Sequence, residues 1–129
     1  MAERKNLVEF ENGFVGVVHA TGMDIPVKKE VVEPYDMTFG ALASCFYSTF
    51  LNFVQKENLN VQKAKIMVRG DKRETVPTML SWVNLDIELV SDETYEDLEQ
   101  CVLQASETCS MYQMISHVAK MSWSLTVHK

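Results

Sequence analysis

The first thirty residues alternate between short apolar and polar runs. Segments 6–11 and 14–20 have the composition of β-strands, and Asn12-Gly13 between them is a strong signal for a tight hairpin turn. A third extended segment, 23–29, leads towards Pro34, a residue type that is well tolerated in the first turn of a helix. The pattern predicts three short strands followed by a helix that begins at Pro34.

The segment from Met37 to Gln55 contains no charged residue and places apolar or small side chains at nearly every angle of a helix. Such a helix has to be enclosed on most sides. Polar residues recur through it and strand-like segments flank it, which favours enclosure by protein over a membrane span. Because a small domain rarely wraps one helix completely, the pattern predicts a homodimer in which a second chain covers the helix.

The second half of the chain returns to strand patterns and then to an amphipathic helix. Segments 64–70 and 81–89 alternate between apolar and polar residues around a loop with Gly, Asp and Pro, which predicts a second hairpin. Segment 91–109 begins with capping and acidic residues, and its apolar stripe recurs every three or four positions, as a helix requires. The predicted inward residues are Ala64, Ile66, Val68, Val83, Leu85, Ile87, Leu89, Tyr95, Leu98, Val102, Ala105 and Cys109.

A short connection then leads to a last strand that alternates from Met121 to Val127. The element order is βββ-α-ββ-α-β with a short helix before the last strand. We therefore predict an α+β fold with curved antiparallel sheet and one long central helix. The 129 residues, 47% of them hydrophobic, suffice for a single domain spanning 1–129.

The charge balance excludes several kinds of partner. Acidic residues outnumber basic ones by 18 to 12, and this excess repels nucleic acid phosphates and anionic membrane surfaces. The first twelve residues carry charges where an export signal needs an apolar run. We expect a cytoplasmic protein that binds neither nucleic acid nor membrane.

Three cysteines, Cys45, Cys101 and Cys109, form no CxxC motif, and the histidines do not lie at metal-ligand spacing from them. No metal site or cofactor is predicted. A reducing cytosol disfavours a static disulfide, so the thiols are either inert packing residues or redox-active.

Cys45 lies in the uncharged helix and Cys109 ends the apolar stripe of the second long helix, so both face the same interior. Two thiols within reach of each other can form a redox pair, and two that are not remain small buried hydrophobes. Cys101 lies beside the stripe and is interpreted as a packing residue.

The chain resembles the OsmC/Ohr family of thiol-dependent peroxidases in three features. These are the element order, "PYDMTFGALASCF" in the first long helix and "ETCSMYQMI" at the end of the second. The separation of Cys45 and Cys109, 64 residues, is also similar to that family's. The resemblance implies an intertwined homodimer whose sheets enclose both long helices. It also implies that Cys45 attacks a hydroperoxide as a thiolate, that Cys109 resolves the product as a disulfide, and that a dithiol reductant restores the pair.

Two positions depart from the family's pattern of an arginine in the N-terminal hairpin and a glutamate after the helix-opening proline. Tyr35 follows Pro34, with Asp36 next, and the stretch from Leu7 to Pro26 has no arginine. A thiol in an apolar helix without a cation is expected to have a pKa above about 8.5 and to react slowly at neutral pH. The candidate substitutes for the missing cation are Arg4, Lys28, Lys29 and His19.

The candidate substrate pocket consists of tyrosines that donate hydrogen bonds and residues at the start of the long helix: Tyr35, Asp36, Met37, Tyr47 and Tyr112. Methionine suits an alkyl or lipid-like ligand, and the same side chains are also typical of interface packing. Two alternatives remain open. One is a non-catalytic OsmC-like dimer that binds a small apolar ligand, and the other is a hotdog-type thioesterase with Asp36 as general base.

Overall fold

The computed structural model describes residues 2–129, and its chain divides into two compact units that meet in sequence between Gly40 and Ala41. The first unit holds a three-stranded antiparallel sheet in the order β1-β2-β3. The second unit holds a three-stranded sheet in the order β4-β5-β6 and two further helices. The elements are β1 Val8–Glu11, β2 Val15–His19, β3 Asp24–Lys28, α1 Pro34–Lys56, β4 Lys63–Lys72, β5 Leu80–Val90, α2 Tyr95–Thr108, α3 Ser110–Ser116 and β6 Lys120–His128.

The first predicted hairpin is confirmed. Asn12 and Gly13 have φ values of 54° and 86°, the left-handed conformation that Asn and Gly adopt most readily. Gly16 of β2 lies opposite Phe10 of β1. A Cβ atom at Gly16 would approach Phe10 Cδ1 to 2.5 Å, so the glycine makes room for the aromatic ring.

The long helix begins at Pro34, as predicted. Glu33 caps it, since its carbonyl accepts from the N–H of Asp36 at 3.0 Å. The Asp36 carboxylate in turn accepts from the N–H of Glu33 at 3.0 Å. The carboxylate contact is one half of a capping box, in which an acidic side chain of the first turn satisfies the N–H of the residue before the helix, and the carbonyl contact is an ordinary backbone turn.

The second hairpin is confirmed by the antiparallel pairing of β4 with β5, which places Ile66 opposite Ile87. The last strand differs from the expectation of antiparallel pairing. β6 runs parallel to β5, with Leu85 opposite Trp123. A parallel pair needs a crossover connection. Helices α2 and α3 form one that is long enough to return the chain to the end of the sheet at which β5 begins.

The core of the second unit lies between α1, α2 and the inner face of the sheet. Helix α1 contributes buried residues at every fourth position, which places them on one stripe, and β5 contributes every second residue. The predicted inward residues of β5 and α2 are confirmed, except that Tyr95 is exposed. The fully or nearly fully buried side chains include Leu42, Phe46, Phe50, Val54, Val83, Leu85, Ile87, Leu89, Leu98, Val102, Ala105 and Cys109.

Helix α1 is long and apolar enough to cross a membrane by length and composition alone, and 22% of its most apolar window is buried within the chain. Its buried stripe is Leu42, Phe46, Phe50 and Val54, and the residues between them are half-buried or exposed. The chain therefore covers one side of a helix that carries no charged residue from Met37 to Gln55.

Phe46 is the test of the core. Its side chain is 1% exposed and its ring lies 5.7 Å from that of Tyr112, so Phe46→Ala removes a large buried side chain and leaves a cavity. We expect the free energy of unfolding to fall by about 3–5 kcal/mol, measured by urea denaturation at matched protein concentration. Leu103→Ala is the control, because Leu103 is 41% exposed and its loss should change stability little. An equal effect of the two substitutions would contradict this account of the core.

Candidate redox site

Two of the three cysteines meet in the second unit. Cys45 comes from the middle of α1 and Cys109 from the junction of α2 and α3, and their sulfurs are 3.4 Å apart. Both are free thiols. A disulfide has an S–S length of about 2.05 Å, so the sulfurs need to approach by about 1.4 Å to bond. Side-chain rotation with small backbone adjustments covers such a distance.

Cys109 is held at this place because it ends one helix and begins the next. Its N–H donates to the carbonyl of Ala105 at 2.8 Å, which closes the last turn of α2. Its extended backbone, with φ −65° and ψ 120°, interrupts the helix, and its sulfur accepts from the N–H of Tyr112 at 3.4 Å in α3. The ring of Tyr112 packs against Phe46, the residue after Cys45. This ring contact fixes the start of α3 beside α1.

The surroundings of Cys45 favour its ionised form. The pKa of Cys45 is lowered chiefly by a hydrogen bond from the backbone N–H of Met111, against the opposing effect of partial burial. The Cys109 thiol and the hydroxyl and N–H of Ser110 lower this pKa further, with Ser110 Oγ at 3.8 Å from the sulfur. The expected raised pKa is therefore wrong in direction, because hydrogen-bond donors stabilise a thiolate as a cation does.

The surroundings of Cys109 shift its pKa in the opposite direction to that of Cys45. The Cys109 side chain is 0% exposed, and burial followed by the proximity of Cys45 raises its pKa. Cys45 is half-buried, so solvent and small molecules reach it more easily. The site therefore pairs an accessible sulfur of lowered pKa with an enclosed sulfur of raised pKa.

Cys101 lies on α2, apart from this pair. It is 1% exposed, and burial raises its pKa, followed by the nearby carboxylates of Glu57 and Asp97. These surroundings are typical of a packing residue. Within residues 2–129, no three His, Cys, Asp or Glu side chains are grouped as metal ligands.

Two of the predicted pocket tyrosines lie in the second unit. Tyr112 is buried against Phe46, and its backbone N–H contacts the sulfur of Cys109, so it belongs to the site as a structural support. Tyr47 is half-buried and packs against Phe50 with ring centroids 5.8 Å apart. Burial raises the pKa of both phenols, which keeps them protonated and able to donate hydrogen bonds.

The other three predicted pocket residues lie in the first unit, in the first turn of α1. Tyr35 is 38% exposed and contacts Phe39 edge-on. Met37 is half-buried. Asp36 is engaged as the capping carboxylate of the helix. Their part in a pocket stays a prediction.

His19, the predicted proton acceptor, lies between two carboxylates of the first unit. Its Nε2 is 2.8 Å from Glu9 Oε1, and its Nδ1 is 3.1 Å from Asp24 Oδ1. Carboxylates accept hydrogen bonds, so both contacts are made only by a doubly protonated ring. The hydrogen bond to Glu9, followed by that to Asp24, raises the pKa of His19, which favours a charged clamp across the sheet over a proton acceptor.

The residues that sequence reasoning missed are Ser110 and Met111, which donate to the sulfur of Cys45. Their contribution comes mainly from backbone amides, which every residue except proline carries, so residue type gives little signal. The one clue in the sequence is a serine directly after the second cysteine.

A family model described as OsmC-like protein matches residues 28–124 of the chain. That range includes all three helices and both cysteines of the pair. No protein of curated function has a sequence that matches the chain significantly.

Several solved structures share the fold over nearly the whole chain. A hypothetical protein from Aquifex aeolicus is 20% identical with a TM-score of 0.86, and 100% of each chain is covered. An OsmC-like protein from Mycoplasma pneumoniae is 14% identical with a TM-score of 0.87, covering 99% of each chain. The organic hydroperoxide resistance protein OhrB of Bacillus subtilis is 16% identical with a TM-score of 0.72, covering 95% of this chain and 98% of its own.

The order of thiol reactivity follows from the two environments. We expect iodoacetamide to modify Cys45 first, with a pH midpoint below that of an ordinary free cysteine, because donors stabilise its thiolate. Peptide mass spectrometry after timed alkylation between pH 5 and 10 measures each cysteine separately. Cys45→Ser should remove the fast phase. Earlier modification of Cys101, or a midpoint for Cys45 above the ordinary value, would overturn this order.

Proposed function

The chain belongs to the OsmC-like protein family, and from that premise we propose that it is a thiol peroxidase that reduces organic hydroperoxides through Cys45 and Cys109. The observation that carries the proposal is the contact of 3.4 Å between a half-buried sulfur of lowered pKa and a buried sulfur of raised pKa. The fold shared with proteins named for organic hydroperoxide resistance supports the choice of substrate class.

The first step is attack by the Cys45 thiolate on the terminal oxygen of a hydroperoxide ROOH. A sulfur lone pair forms the S–O bond while the O–O bond breaks, which yields Cys45 sulfenic acid and the alkoxide RO⁻. Water protonates the alkoxide to ROH. The sulfur is oxidised by two electrons and the peroxide is reduced by two. The lowered pKa of Cys45 suits this step, because the thiolate is the nucleophile.

The second step joins the two sulfurs. The Cys109 sulfur attacks the sulfenic sulfur of Cys45, the S–O bond breaks, and the leaving oxygen departs as water with the proton of the Cys109 thiol. The distance of 3.4 Å supports this assignment, since it allows bond formation with little rearrangement. The burial of Cys109 keeps it from being oxidised first. A small-molecule or protein dithiol then reduces the disulfide by thiol exchange and is itself oxidised.

The proposal includes a homodimer. Helix α1 has no charge from Met37 to Gln55, and its buried stripe covers one side. The first unit also exposes large apolar side chains, among them Leu7 and Phe10 at 60% and 51%. A second copy of the chain is a partner of matching chemistry for both surfaces, because apolar surface buried between subunits stabilises the assembly.

A non-catalytic dimer that binds a small apolar ligand is the second candidate. The absence of arginine from Leu7 to Pro26 favours it, since the resemblance implies an arginine that orients the peroxide. The thioesterase alternative is weaker. Its general base was to be Asp36, and that carboxylate accepts the N–H of Glu33 as part of the helix cap.

Peroxidase function predicts one specific disulfide. Cumene hydroperoxide should link Cys45 to Cys109 in the native chain and in Cys101→Ala, since Cys101 lies outside the pair. Cys109→Ser should instead accumulate sulfenic acid at Cys45, which a dimedone-type probe detects. Cys45→Ser should form neither the disulfide nor the sulfenic acid. Non-reducing peptide mapping before and after addition of dithiothreitol reads the linkage. Sulfurs that stay unlinked under excess hydroperoxide would leave the ligand-binding candidate.

The dimer is tested separately. Sedimentation equilibrium at low micromolar concentration should give twice the mass of one chain, and the thermal midpoint should rise with protein concentration because folding and association are linked. A folded monomer whose midpoint is independent of concentration would show that the chain covers α1 without a partner.

A further inference from the structure

Ser110 is the one side-chain hydroxyl recorded against the Cys45 sulfur among the described residues, at 3.8 Å. Other hydroxyls on these helices donate to backbone carbonyls of the preceding turn, as Thr108 does to Gln104 and Ser116 does to Gln113. The corresponding carbonyl for Ser110, that of Ser106, accepts from the side-chain amide of Gln113 at 2.8 Å instead. The polar contact that the Ser110 hydroxyl makes is with the Cys45 sulfur.

We propose that Ser110 is a catalytic residue of this chain, whose hydroxyl donates a hydrogen bond to the Cys45 thiolate and so sets how much of the nucleophile is present at neutral pH. The catalytic role of Ser110 rests on the proposed peroxidase function, whereas its contact with the Cys45 sulfur does not depend on that function. Sulfur hydrogen bonds are longer than those to oxygen, and 3.8 Å lies within their range. An ionised sulfur can only accept, so the hydroxyl becomes the donor once Cys45 loses its proton.

The position of Ser110 suits a donor at the approach to the sulfur. Ser110 is exposed and Cys45 is half-buried, so solvent reaches the residue whose hydroxyl contacts the sulfur. Its O–H can rotate. It can therefore donate to the thiolate before reaction and turn to water once Cys45 has become a neutral sulfenic acid. A backbone amide of Met111, which is fixed in direction, cannot adjust in this way.

The chemistry predicts two opposing effects of removing the hydroxyl. Loss of one hydrogen bond to a charged group reduces the thiolate population by about tenfold at a pH below the thiol's midpoint. A less stabilised thiolate is also a stronger nucleophile. With a Brønsted coefficient of about 0.4–0.5, the rate constant of each thiolate rises about threefold and offsets part of the loss in population. The net rate should thus be about threefold lower at neutral pH and about threefold higher on the alkaline plateau, where the thiol is fully ionised.

The experiment measures iodoacetamide alkylation of Cys45 from pH 5 to 10 in a Cys101→Ala background. Ser110→Ala should give a rate profile that crosses that of the parent, slower at neutral pH and faster at the plateau. Ser110→Thr retains the hydroxyl and should restore the parent profile. Ser116→Ala removes a hydroxyl from the same helix whose partner is the Gln113 carbonyl, and it should leave the profile unchanged.

A merely structural role for Ser110 would change the rate in one direction at every pH. A profile that does not cross, one that matches the parent, or a threonine variant that behaves as alanine does would each overturn the proposal. Ser110 is exposed, and alanine favours helices, so the variant should fold.

Alkylation needs no peroxide, which separates this inference from the proposed function. A parent chain that forms the hydroperoxide-driven disulfide while Ser110→Ala leaves the alkylation profile unchanged refutes the role of Ser110 alone. A crossing profile in a chain that never forms the disulfide supports Ser110 and refutes the peroxidase.

Discussion

The chemistry of this protein depends on one interruption of the helical backbone, at Cys109. The residue closes α2 through its N–H and opens α3 through its sulfur, and its extended dihedral angles let the chain change direction between them. Because of that change, the first amides of α3 face Cys45 of α1. A continuous helix through 95–116 would have used the same amides in its own hydrogen bonds and left Cys45 among apolar side chains.

The same interruption places two chemically identical side chains in environments that shift their pKa values in opposite directions. Cys109 is enclosed because it lies at the point where three helices meet, and enclosure raises its pKa. Cys45 lies at the rim of that junction, where donors from 109–111 outweigh its partial burial. Neither environment needs a charged side chain. The difference in pKa between the two thiols arises from their positions relative to the start of α3.

Most of the fold follows from local sequence signals, and the site follows only in part. Asn12-Gly13, Pro34 and the alternation in 81–89 each act over a few residues, so they predicted the hairpins, the helix start and the inward side chains of β5. The direction of β6 depends on how far the α2–α3 crossover carries the chain, which no local pattern records. The two interacting cysteines were identifiable as side chains. The direction in which the Cys45 pKa shifts was not identifiable, because backbone amides control it and residue type gives little information about where those amides point.

Neutral donors have a physical advantage over a cation at such a site. In the reaction proposed above, Cys45 is charged only before oxidation, since both the sulfenic acid and the disulfide are neutral. A cation held in a partly buried place for the thiolate alone would lose its partner in two of the three states, and an unpaired buried charge is strongly destabilising. In that reaction amides and a hydroxyl would lose only hydrogen bonds, and a hydroxyl as exposed as that of Ser110 can bond to water instead. A thiolate stabilised by dipoles can therefore cycle through neutral states with smaller changes in the stability of the surrounding fold.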